Sequence, residues 1–123
     1  MADSEDQAMK KLAQHLSMSY VVLATLCINL PIAVTLPTGE VSNVDIVPAI
    51  RRTMEIIEDQ PMPEEQQATL FAACSFWLGA VDLYGLLTRD FHTARAHSAA
   101  ACLLMCDDVM GDLIEWLTDS HQE

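Results

Sequence analysis

Residues 63–117, PEEQQATLFAACSFWLGAVDLYGLLTRDFHTARAHSAAACLLMCDDVMGDLIEWL, decide the fold. In their second half Ala96, Ala99, Leu103, Cys106, Met110, Leu113 and Leu117 recur at alternating intervals of three and four, the spacing of a coiled-coil seam. In the first half Phe71, Cys74, Leu78 and Val81 form one apolar stripe, and Leu70, Trp77, Tyr84 and Leu87 form a second. A helix apolar on two faces lies centrally in a bundle or in an interface. Pro63 suits the first turn of a helix, with Glu64 and Glu65 at its positive end. Thr88, Arg89 and Asp90 place a turn between the halves, although no Gly or Pro enforces it. The alternative is one continuous helix, a dimerisation rod; a hairpin of helices 63–87 and 91–118 is the more ordinary length for a globular domain.

Upstream, Met9, Leu12, Ala13, Leu16 and Tyr20 recur at helical spacing, so a first helix spans about 5–29, with Ser4 as its cap and Pro31 as its stop. Ile32, Val34 and Thr35 suggest an extended piece within an irregular connection over 30–43, and Pro37, Thr38 and Gly39 suggest a turn. A single extended piece cannot seed a sheet. Val47, Ile50, Met54 and Ile57 mark a helix over 45–59, in which Pro48 fits the first turn, and the Pro61 to Pro63 break ends it. The expected fold is therefore all-α. It is a four-helix bundle-like single domain over 1–123, built on a long antiparallel C-terminal hairpin.

Hydrophobic residues make up 51% of the 123, and the mean hydropathy is +0.21. That is apolar for a small monomer, so some apolar surface is expected to be shared with a partner or a second copy, and a homodimer is expected. The net charge of −12 is localised: Glu55, Glu58, Asp59, Glu64, Glu65 and Asp82 lie in one stretch without a base, and Asp107, Asp108, Asp112, Glu115, Asp119 and Glu123 lie in another. Such a chain repels phosphate backbones, so no direct nucleic-acid binding is expected, and the natural complement is a protein with a basic surface. Within the last helix Asp108, Asp112, Glu115 and Asp119 recur at four, three and four, which makes one exposed acidic face.

Four cysteines lie within apolar helical pattern, which reads as reduced core thiols and a cytoplasmic protein. The uncharged run from Leu16 to Leu36 is interrupted by Ser17, Ser19, Asn29 and Pro31, so a core helix and a tail are expected there, with no membrane partner. Cys102 and Cys106 with Cys74, His92 or His97 would make a loose tetrahedral set, but this spacing inside an apolar stripe is more simply core, and no cofactor or metal is expected. His15, His92, His97 and His121 show no Ser or Asp arrangement legible in the sequence, and Asp82 stands among apolar neighbours, where it faces solvent, meets Arg89 or Arg95 across the hairpin, or reads a partner. No nucleophile or phosphate loop is present, so the chain reads as no enzyme.

The expected function is that of a small acidic protein-binding regulator or inhibitor: an immunity protein, an antagonist of a DNA-binding protein or a phage-type inhibitor, occluding its partner stoichiometrically. Its contact residues would be Asp108, Asp112, Glu115 and Asp119 with Trp77, Tyr84 and Trp116 as aromatic anchors. Two other classes compete. The clusters Glu55, Glu58, Asp59 and Asp108, Asp112, Glu115 would suit an all-helical metal-dependent nucleotide hydrolase, although no Lys or Arg is spaced to grip a triphosphate. The seam itself would suit a structural or chaperone-like helical dimer.

Overall fold

A computed structural model describes residues 2–39 and 43–122; residues 40–42 of the connection and Glu123 of the second acidic stretch lie outside it. The described residues form four α-helices and no strand: α1 (Ala2–Ile28), α2 (Asn43–Glu55), α3 (Glu64–Arg89) and α4 (Thr93–Gln122), with one 3₁₀ turn (Ile57–Asp59) after α2. The helix begins at Ala2, so Ser4 lies inside α1 and is not its cap. Pro63 stands one residue outside α3 as its N-cap, where its carbonyl accepts from Gln67 N at 3.0 Å. Pro48 is the sixth residue of α2, just past the first turn. Its missing amide would have met the carbonyl of Val44, an exposed residue, so that acceptor can be solvated.

The hairpin is formed, and its break needs neither Gly nor Pro. Asp90 turns extended, its N–H still bonded to Leu86 O, and Arg95 Nη1 donates to Asp90 O at 2.9 Å. Phe91 packs against the core immediately afterwards, and His92 O accepts the first amide bond of α4 from Ala96. Side-chain capping and the packing of one half-buried ring against the core thus reverse the chain. α3 makes its most extensive packing with α4, and the seven seam residues of α4 are all buried.

On α3 the buried face is Leu70, Ala73, Cys74, Trp77, Ala80 and Leu87. The stripe through Phe71, Leu78 and Val81 is different: Phe71 is half exposed at 50% and the other two are half-buried. Small Ala73 and Ala80 let the helices approach, and Cys106 Sγ reaches Ala73 O at 3.4 Å.

α1 contacts both helices of the hairpin. Its pairings with α4 run from His15 and Asp107 to Leu26 and Leu117, so α1 is parallel to α4 and antiparallel to α3. Trp77 ties it down: the indole N–H donates to Leu16 O at 3.0 Å and the ring lies tilted on Tyr20, centroids 5.3 Å apart. α2 packs on α3 through Ile46, Ala49, Ile50 and Thr53, all buried, and does not touch α4.

The connection after α1 folds back along the bundle. Val34 N donates to Cys27 O, Tyr20 OH donates to Pro37 O at 2.6 Å, and Leu36 is buried. Gly39 has φ +86°, a left-handed turn that favours glycine. Gln60 fixes the strap from the other side: Ile32 N donates to its Oε1 at 2.9 Å, and its Nε2 donates to Ile32 O at 2.7 Å. Gln60 is buried, so Gln60→Ala leaves a small cavity and unties the strap. An expected loss of about 2 kcal/mol in urea unfolding follows, with Gln67→Ala, at a half-buried position, costing less. Equal losses would mean that the strap contributes nothing.

Candidate functional site

Asp108, Asp112, Glu115 and Asp119 are all exposed, along one side of α4. Among the described residues no Lys, Arg or His comes within ion-pair distance of any of them. Their charge is therefore not neutralised within the fold. Leu104 and Met105, also exposed, stand beside the first of them, so the surface is acidic with apolar points at its edge, whereas exposed Ile114 faces the clefts against α1. Because α3 and α4 are antiparallel, this end of α4 lies beside the start of α3. There Glu55, Glu58 and Glu64 line one open cleft of about 440 Å³ with Met54 and Phe71. The acids at the end of α2 and the start of α3 and those of the second half of α4, separate in sequence, lie toward the same end of the molecule, whereas Asp82 lies toward the α3–α4 turn. Of the six Lys and Arg, Arg51 and Arg52 stand on α2 beside Glu55, and Lys10, Lys11, Arg89 and Arg95 stand on α1 and around the turn.

The aromatic anchors do not join this face. Trp77 is only 3% exposed, and its N–H and ring are engaged by α1; it is a core group that also floors a cleft of about 420 Å³. Tyr84 lines the same cleft with Leu16, Tyr20, Ala24 and Ile46, and no residue of α4 takes part. Trp116 is half-buried against the core. Of the expected contact residues, the four acids form one surface and the three aromatics do not. Asp82 is exposed, and no ion pair to Arg89 or Arg95 forms.

One arrangement was not legible in the sequence. Asp107 reaches across from α4 to α1, where Ser19 Oγ donates to its Oδ1 and His15 Nε2 lies against its Oδ2, each at 2.6 Å. The only local signal is that His15 and Ser19 stand four apart on one helix face. The geometry is not that of a nucleophile relay, because the serine hydroxyl is turned to the carboxylate and not to the imidazole. Asp107 clamps α1 to α4, and among the described residues it is the one acid of that stretch with a histidine in reach.

All four cysteines are free thiols, and Cys27, Cys74 and Cys106 are buried. Burial pushes the Cys27 and Cys106 thiols up to about 12, the latter aided by Asp107, and Cys74 is raised further, by burial and then by the other two thiols. Thiols held protonated in this way are poor nucleophiles. Among the described residues no group of three or more His, Cys, Asp or Glu stands close enough to hold a metal, and the acids of the α2 end and of α4 do not meet. By length and composition two helices, Ser4–Ile28 and Glu64–Arg89, are long and apolar enough to cross a membrane; here both pack against α4. No protein-family model matches the chain, and no curated protein or solved structure matches it.

Proposed function

We propose that the protein is a small acidic regulator or inhibitor that binds a protein with a basic surface and occludes it, acting as a cytoplasmic homodimer without catalytic chemistry of its own. The observation that carries this reading is the row Asp108, Asp112, Glu115 and Asp119, exposed on α4 with no cation in reach among the described residues. Four such carboxylates repel one another, and a basic partner relieves that repulsion on docking. Leu104 and Met105 supply the apolar contact that charge alone does not. Steering by the carboxylates sets the rate of encounter, and the apolar points set the lifetime of the complex. Proteins whose own task is to hold nucleic acid present the complementary basic surface.

The test compares the immobilised chain with a variant carrying Asp108→Asn, Asp112→Asn and Glu115→Gln, each exposed to an extract of the native host. The wild type is expected to capture basic proteins with association that slows in salt. The variant, equally helical, is expected to associate at least about tenfold more slowly and with a flatter salt dependence. Equal capture and equal on-rates for the two chains would remove the acidic face from the function.

A further inference from the structure

On the outer side of α1 stand Met18, Val21, Thr25 and Ile28, spaced three, four and three apart. All are exposed: Met18 69%, Val21 62% and Ile28 50%, with Thr25 between them. This spacing is that of helix pairing, yet no element among the described residues covers it. Val21 and Thr25 form a ridge between two clefts, one of about 420 Å³ toward α3 and one of about 490 Å³ toward α4, the latter lined by Val22, Leu26, Ile114 and Leu117. Among the described residues, neither cleft is lined by a charged one.

We propose that this face of α1 is where a second copy of the chain docks, α1 against α1, with the ridge of each copy seated in a cleft of the other. Charge selects the occupant. The chain carries −12, and from Leu16 to Leu36 it carries no formal charge at all. Two copies repel wherever their carboxylates meet, and the α1 face lets them meet without doing so. A basic partner, by contrast, is drawn to the acids of α4. Shape agrees with charge: a two-fold interface must be complementary to itself, and a ridge flanked by grooves can meet that requirement. From Met18 to Ile28 the ridge is about 15 Å long. The α4 acids stay exposed when α1 is paired, so dimerisation and partner binding use different surfaces. This inference rests on the dimeric half of the reading above and not on the basic partner.

Sedimentation equilibrium of the full chain, from low to high micromolar, tests it. The wild type is expected to reach twice the 13.6 kDa of one chain. Val21→Lys and, separately, Thr25→Lys each bring a charge to the pairing axis from both copies, and each is expected to weaken the dimer at least about a hundredfold. Asp112→Asn is expected to leave it intact. Both lysines replace exposed helical residues, so unchanged far-ultraviolet circular dichroism shows that the monomer is folded. A wild-type chain that stays monomeric at high micromolar overturns the dimer and this face together. A wild-type dimer that persists in both lysine variants overturns the face alone. A monomer that floats with phosphatidylcholine vesicles, and ceases to do so in Val21→Lys, overturns the proposal in favour of a bilayer surface.

Discussion

At pH 11 the protein is expected to be largely unfolded under conditions in which it is intact at pH 8. Burial holds the Cys27 and Cys106 thiols at about 12 and Cys74 higher, against an ordinary value of 9.0. Below pH 9 the folded and unfolded chains both keep these protons, and the stabilising contribution is complete. Between pH 9 and 12 the unfolded thiols ionise while the folded ones do not, so the folded state binds more protons and stability falls as pH rises. At pH 11 the loss is roughly 2–3 kcal/mol per thiol. Three such losses together are comparable with the entire stability of a small domain, about 5–15 kcal/mol. Tyr20 acts in the same direction, since its hydroxyl is also raised by burial and then by Cys27. Urea unfolding followed by circular dichroism at stepped pH, with reductant present, measures the effect. Cys74→Ala removes one of the three buried thiols and should make the fall with pH shallower, even though the cavity it leaves lowers stability at pH 8. A stability that stays level from pH 9 to 11 would sink the account of three buried thiols.

The seam of α4 was fully legible because its repeat is carried by residues that are both large and regularly spaced, from Leu103 to Leu117. α3 was less so. Phe71 is the most hydrophobic-looking member of its stripe and yet it is half exposed, whereas Ala73 and Ala80 are fully buried. Hydrophobic periodicity weighs bulk, but a close helix crossing needs the opposite, small side chains where the backbones meet. The hairpin turn is a tertiary device, an arginine on a carbonyl and one half-buried phenyl ring packed on the core, and such devices leave no Gly or Pro in the sequence. The acidic face was readable from its spacing alone. That Glu55, Glu58 and Glu64 share a cleft at the same end was not, because it depends on α2 running back along α3. The clamp of Asp107 on His15 and Ser19 joins residues about ninety positions apart, and no local pattern encodes it.

The ambiguity of aromatic residues is of another kind. Trp77, Tyr84 and Trp116 have spacing equally suited to core and to interface, since the same large ring serves both. What separates them is whether the polar handle finds a partner inside the fold. The indole N–H of Trp77 does, on Leu16 O, and a satisfied handle on a buried ring marks a residue spent on folding.

Trp77→Ala is accordingly expected to be among the most damaging single substitutions, costing about 3–5 kcal/mol in urea unfolding. The ring joins α3 to α1 and floors the cleft beneath the strap that follows α1, so its removal leaves a cavity that Tyr20 cannot fill without breaking its own bond to Pro37 O. Trp77→Phe separates packing from hydrogen bonding. Leu16 O keeps the chance of its ordinary helical partner, Tyr20 N, so losing the indole N–H costs about 1 kcal/mol, and the smaller ring adds a further part of the deficit. Trp116→Ala, at a half-buried site, should cost clearly less than Trp77→Ala. The order Trp77→Ala, then Trp77→Phe and Trp116→Ala, is what a core tryptophan requires. A partner-binding anchor predicts the reverse pattern: Trp77→Ala would leave the unfolding midpoint where it was and abolish capture of the basic partner instead. Since the acidic face of α4 shares no residue with the Trp77 cleft, mild destabilisation at Trp77 that leaves the protein folded should also leave association rates unchanged. A fall in on-rate in folded Trp77→Phe would place the binding surface on the α1 and α3 side of the molecule and not along Asp108, Asp112, Glu115 and Asp119.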